Sequence, residues 1–323
     1  VEINPEADLD TSQVTDVRGS SGGGGGLGGR VAAGGGGVSI VGLLIYFVLS
    51  QLGGGGGDLG SVLGDLSNMP GIGGGTSASQ GQDPDQQQKA EALKQKCAVG
   101  SSASEGNDCE AVALVNSIQS YWRDQLARSS TPYRPAQTFI FDRARRTGCG
   151  QAGPEMGPFY CPADENVYIE LGFYQELEQK FGARGGLFSR AYVLAHEYGH
   201  HVQNILGIEG RVRTRSGPTS DAVKLELQAD CFAGVWANHA TRTTTASGRP
   251  LISNITQDDI AAGVDTAERI GDDFIQTNLG GGRVNESQFT HGSSAQREKW
   301  LRAGLASGNP ADCNTFAAGV NLG

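Results

Sequence analysis

The sequence predicts an α+β fold: a helix-rich domain with a small sheet, behind a glycine-rich tract that holds one apolar segment. Three observations carry this. Apolar residues recur at three- and four-residue steps through the C-terminal part. Two short runs rich in β-branched and aromatic residues lie among them. Glycine is concentrated early, with about half of the 51 glycines between Gly19 and Gly75. A tract of that kind has almost no side chains to bury and cannot pack a core. With 323 residues, the chain has room for one sizeable domain plus appendages.

Residues 1–30 are polar and then glycine-rich, and are expected to be disordered. Residues 31–52, VAAGGGGVSIVGLLIYFVLSQL, carry no charge over 22 positions, close to the roughly 20 needed to cross a bilayer. A cleaved signal peptide and a buried core helix are the rivals. No small-x-small site followed by a mature start is evident just after Leu52, and a helix between polyglycine runs has nothing to pack against, so a single transmembrane helix is expected. Arg18 and Arg30 precede it and no Lys or Arg follows until Lys89. The positive-inside bias then puts the N-terminus in the cytoplasm and the domain outside, as a single-pass membrane protein. Residues 53–85 read as a flexible linker and 86–323 as the folded domain.

Within that domain, Val112, Val115, Ile118, Trp122 and Leu126 mark an amphipathic helix over 107–128. TFIFD (138–142) and NVYIEL (166–171) read as strands. A helix over 187–206 ends at Gly207, another spans 220–240 behind Thr219 or Ser220, and two more are expected near 257–275 and 293–306.

The net charge of −10, with no lysine-rich stripe, excludes nucleic acid as a partner. The six cysteines form no C-x-x-C pair, which argues against a zinc ribbon or a thioredoxin-type site. The expected disulfides are Cys97–Cys109, Cys149–Cys161 and Cys231–Cys313, the first two sharing one sequence offset; six buried free thiols are the alternative. An oxidising exterior agrees with the disulfides. GSSGG at 19–23 matches a serine-hydrolase signature only because polyglycine satisfies such patterns trivially.

The chemistry concentrates in LAHEYGHHVQ (194–203), which holds three of the five histidines. Leu187, Ala191, Leu194, Tyr198, Val202 and Ile205 form an apolar stripe on this helix. His196 lies about 200° from Leu194 and His200 one turn further, so the two imidazoles stack away from the stripe. H-E-x-x-H on a helix is a zinc-binding pattern, with the Glu placed as general base on a metal-bound water. His201, about 100° from His200, is assigned to packing or to support of the ligands. Catalytic zinc takes three protein ligands and leaves a corner for water. Downstream, LELQADCFAGVW offers Glu226 as third ligand and Asp230, one turn on, to orient a ligand histidine.

HEYGHH followed by LELQADCFAGVWA, with GPFYCPADENVYIEL before and FTHGSSAQREKWLRAG after, resembles the bacterial putative neutral zinc metallopeptidase family from about residue 84 onward. H-E-x-x-H plus E-x-x-x-D is similar to the gluzincin peptidases. The resemblance implies a zincin-like domain in which His196, His200 and Glu226 hold Zn2+, Glu197 is the base and Asp230 orients a histidine, with a peptide or protein as substrate. His291 is the expected donor to the oxyanion, or else a cap before the 293–306 helix. The strand at 166–170 is expected to offer an edge to extended substrate. The alternative is a non-catalytic, membrane-tethered scaffold or accessory subunit with a structural zinc site. Any membrane-protein partner is left open.

Overall fold

A computed structural model describes residues 1–19, 84–127, 129–246 and 248–323. The expected transmembrane segment and nearly all of the expected linker lie outside these residues. Among the described residues no helix is long and apolar enough to cross a membrane.

The fold is α+β. In chain order the strands are β1 (Glu2–Ile3), β2 (Val14–Asp16), β3 (Thr138–Ile140), β4 (Arg145–Thr147), β5 (Gly150–Ala152), β6 (Phe159–Cys161), β7 (Asn166–Ile169) and β8 (Ile252–Asn254). The helices are α1 (Pro84–Lys96), α2 (Asn107–Leu126), α3 (Phe173–Gln179), α4 (Leu187–Ile205), α5 (Asp221–His239), α6 (Gln257–Arg269), α7 (Asp272–Asn278) and α8 (Ser294–Ser307).

The main sheet has the order β2-β3-β7-β6, with β2, β3 and β7 parallel and β6 antiparallel at the edge. Alternation sends Val14, Ile140, Val167, Ile169 and Tyr160 into the large core shared with the helices. Phe139, Tyr168 and Phe159 face the other way and stack in a row across three strands, with ring centroids 5.3 and 4.9 Å apart. Ala152 of the β4–β5 hairpin packs in that outer cluster, and the Cys149–Cys161 disulfide pins the hairpin to β6. The other two expected disulfides, Cys97–Cys109 and Cys231–Cys313, are also formed, and no described cysteine is free.

Three expectations need correction. First, disorder does not extend over residues 1–18. β2 is a strand of the main sheet and β1 pairs with β8. Asn116 clasps the backbone of Asp10 through both ends of its amide, at 2.7 and 2.9 Å. At the end of this segment the Gly19 N–H donates to Asp142, and Lys89 on α1 donates to the Arg18 carbonyl at 2.7 Å. Residues 1–18 and 84–323 therefore share one core. Second, the linker stops short of residue 85, because Pro84 and Asp85 open α1, where proline is tolerated in the first turn. Third, the helix expected over 257–275 is two helices. It breaks at Gly271, where a Cβ would lie 2.4 Å from the backbone nitrogen of Ser294. The other four expected helices fall within a residue or two of their bounds, and α1 and α3 are not among those expected. Ser220 caps α5 and Ser293 caps α8 with a reciprocal capping box.

The helical layer is built around α4, which is buried on nearly every side, not on the stripe alone. α5 crosses it closely: a Cβ on Gly199 would sit 3.0 Å from Ala229 Cα. α8 lies against the other side of α5, where Gly234 and Gly304 permit backbone contact.

Candidate metal centre

α4 lies between Gly186 and Gly207, both at positive φ, and contains no proline. Within it His196 and His200 stack one turn apart, with ring centroids 4.7 Å from each other. On α5, Glu226 and Asp230 repeat the same spacing. The Gly199 contact brings the two helices close enough for these faces to meet.

His196 Nε2 lies 3.2 Å from one Glu226 oxygen, and His200 Nε2 lies 3.5 Å from the other. One ligand atom from each of the three residues falls within 4.8 Å of the rest. Zinc ligands at about 2.05 Å in a tetrahedron sit roughly 3.3 Å apart. The nitrogens and the Glu226 Oε2 are buried yet make no hydrogen bond. Orphaned polar atoms in the interior cost on the order of 1–3 kcal/mol each, more when charged. A divalent cation would satisfy all three at once, so the donor set fits zinc.

The far nitrogens are spoken for. His196 Nδ1 lies 2.7 Å from Asp230 Oδ1, and His200 Nδ1 lies 2.8 Å from Gln203 Oε1. Gln203 is fixed by donating to the Leu225 carbonyl at 2.7 Å and to Gln228. Such partners make each Nδ1 the protonated nitrogen and leave the Nε2 lone pairs facing the centre.

Glu197 is 2% exposed and its Oε2 has no partner. Burial raises its pKa above the ordinary value; the two histidines and a hydrogen bond from the Tyr160 backbone of β6 oppose the shift, while Glu226 adds to it. Glu226 is held ionised: burial opposes this, but His200 and His196 pull its pKa well below 4.5. His200 responds in kind, pushed up to about 9 against its burial by Glu226.

His291 is fully buried and is the least of the groups that lower the pKa of Glu226. Its Nδ1 contacts Thr290 Oγ1 at 2.8 Å and Asp272 Oδ1 at 3.2 Å, while its Nε2 is an orphan. The other Asp272 oxygen accepts the N–H groups of Thr290, His291 and Gly292, at 2.7–3.0 Å. The break at Gly271 is what sets Asp272 at the start of α7 to make these bonds. His291 is therefore held by Asp272 ahead of α8, whose cap is Ser293.

The structure thus brings together His196, Glu197, His200, Glu226 and Asp230, with His291 electrostatically coupled to them. It does not bring His201 there. That ring faces the sheet, with Nε2 2.6 Å from the Arg134 carbonyl and Nδ1 3.1 Å from the Tyr160 hydroxyl. The expected edge at 166–170 is also wrong, because β7 is flanked by β3 and β6. The edge beside α4 is β6, whose Tyr160 backbone reaches Glu197. Cys231, next to Asp230, is bonded to Cys313 and is no ligand.

Several contributors carried no signal of their own in the sequence: Gly199, Gln203, Asp272 and Arg297. Arg297 is fully buried and bonds both oxygens of Asp230.

Residues 6–316 match the family described as putative neutral zinc metallopeptidase. The chain belongs to that family. The match includes most of the N-terminal strand segment as well as the helical layer. The uncharacterised protein Rv2575 of Mycobacterium tuberculosis H37Rv is 42% identical to this chain over 225 residues, 69% of this chain and 75% of that one. The uncharacterised protein YpfJ of Escherichia coli K12 is 39% identical over 213 residues, 64% of this chain and 70% of the other. No solved structure matches the chain.

Proposed function

We propose that this member of the family is an active zinc-dependent peptidase that hydrolyses peptide bonds. The observation that carries the reading is the convergence of three buried, unpartnered ligand atoms beside an unpartnered carboxylate. His196, His200 and Glu226 would hold the ion. Zinc bound there would polarise the substrate carbonyl and acidify a water. Glu197 takes the proton from that water at Oε2 and passes it to the departing amine nitrogen. Its raised pKa suits a group that must both accept and release a proton. His291, held through Nδ1, presents Nε2 to the oxygen on which negative charge develops. The amide-lined edge of β6 lies beside Glu197 and suits an extended peptide as substrate.

The rival reading, a structural zinc in a scaffold, needs a fourth protein ligand. Among the described residues, the second cluster of metal-binding type is Cys97, Asp108 and Cys109, and its cysteines are joined in a disulfide. Zinc-loaded protein and its Glu197→Gln variant, compared on a broad peptide library, decide between the two. Cleavage by the first alone is expected. No cleavage by either, or equal cleavage by both, would sink the peptidase reading.

The three disulfides favour an extracytoplasmic site for the domain. On this reading residues 1–18, whose strand β2 pairs with β3 of the domain, would lie on the same side as the domain. Protease treatment of intact cells carrying tags at both ends is expected to remove the two tags together; protection of the N-terminal tag alone would contradict this.

A further inference from the structure

The interior holds one more full charge beside the metal centre. Arg297 on α8 is completely buried. Its Nε and Nη2 donate to the two oxygens of Asp230, at 3.0 and 2.9 Å. Nη2 also donates to the Tyr192 hydroxyl at 3.1 Å, and Nη1 to the Ile270 carbonyl at 3.2 Å. Tyr192 in turn donates to Asp230 Oδ1 at 2.6 Å, the oxygen that faces His196 Nδ1. A buried ion pair of this kind is a poor source of stability, because desolvation offsets most of the attraction. What it supplies is geometry: a planar two-pronged guanidinium fixes the plane of the carboxylate it grips.

We propose that Arg297 is the positioning residue of the metal centre, holding Asp230 so that His196 presents Nε2 to zinc at a fixed angle. The inference rests on the reading of His196 as a ligand and goes a step beyond it. It makes α8 part of the site, although α8 contributes no ligand. The helix can reach because α5 and α8 touch through glycine. A Cβ on Gly304 would fall on the Cys231 carbonyl oxygen at 2.0 Å, and one on Gly234 would lie 2.3 Å from the Leu301 carbonyl. Gly304 lies two turns beyond Arg297 on α8, and Gly234 one turn beyond Asp230 on α5, so this contact sets the separation that the arginine spans.

A double-mutant cycle on zinc affinity tests the proposal, read by competition of the apoprotein with a chromophoric chelator. Arg297→Lys keeps the charge and loses the fork. It is expected to weaken zinc binding by about 10- to 100-fold, the range for loss of an outer partner of a ligand. Asp230→Asn should weaken it to a similar degree, and the two together little more than Asp230→Asn alone, since Arg297 acts through Asp230. Wild-type affinity in a folded Arg297→Lys protein, or fully additive losses, would overturn the proposal. Should Arg297→Lys fail to fold, the neutral pair Asp230→Asn with Arg297→Gln replaces it. Equal affinity of that pair and Asp230→Asn alone supports the proposal, and a further loss overturns it. If the wild-type protein itself takes up no zinc, the ligand assignment fails instead, a result this design distinguishes from failure of Arg297.

Discussion

His200 and His201 are adjacent residues on one buried helix, and the two sides of α4 treat them in opposite ways. On the sheet side every hydrogen-bonding atom of His201 is used, by Tyr160 and the Arg134 carbonyl. Burial pushes its pKa below the ordinary value, so it sits as a neutral, fully bonded core residue. On the α5 side His200 uses Nδ1 and leaves Nε2 unpaired, as do its neighbours His196 and Glu226. Burial alone therefore does not mark a metal ligand. The mark is burial with unpaired ligand atoms that converge on one another, because a folded interior otherwise pairs nearly all of its polar groups.

That contrast can be broken at several points, taken in order of decreasing effect. Glu226→Ala removes the one anionic ligand and should weaken zinc binding by on the order of 10³-fold; retention of stoichiometric zinc at limiting metal would remove Glu226 from the site. His291→Ala should lower kcat by about 10²-fold with zinc content unchanged, as for loss of one oxyanion donor; Asp272→Asn should show a weaker form of the same defect. Unaltered kcat in His291→Ala would return that residue to a packing role. His201→Phe probes the opposite side. It should lower the free energy of unfolding by about 1–3 kcal/mol, from the unpaired Arg134 carbonyl, and leave zinc affinity alone. A large loss of zinc affinity there would erase the distinction between the two sides.

The smallest effect lies at the rim of the helical layer. Asp221 opens α5, accepting the N–H groups of Arg213 and Thr214 and pairing with Lys224. The Lys224 hydrogen bond first, and then the Arg213 and Thr214 N–H groups, lower its pKa from 3.8 to about 2. A depressed pKa stabilises the fold above the unfolded value and loses that contribution as pH falls through the folded value. Asp221→Asn should therefore lower stability by under about 1 kcal/mol at pH 7, and the difference from wild type should close between about pH 4 and pH 2. A difference independent of pH in that window would show that the carboxylate charge is not what matters. None of these changes at Asp221 should reach the metal.

The same contrast explains what could be read in the sequence. His196, Glu197 and His200 share a face because of helical period alone, and Glu226 and Asp230 stand out as carboxylates in an apolar stretch. Both are local patterns, and so is the cap at Ser220; the cap of α8 is Ser293 and not His291. What escaped is set by contacts distant in sequence. β2 is three residues long, too short for a periodicity, and its partner β3 lies more than a hundred residues away. Expecting β7 at an edge failed because a strand's place in a sheet depends on its neighbours and not on its composition. The break at Gly271 follows from the approach of Ser294, and Arg297 looks in the sequence like any surface arginine of a polar helix. Gln203 and Asp272 likewise acquire roles only once α5 and the 290–292 loop are in place.

X-ray absorption at the zinc edge on protein purified without chelators tests the central claim most directly. The account predicts one zinc per chain with two imidazole nitrogens, carboxylate oxygen from a single residue and a light-atom ligand from solvent. That solvent ligand should be displaced by a hydroxamate. A sulfur ligand, a fourth protein donor that no inhibitor displaces, or no bound zinc at all would contradict it.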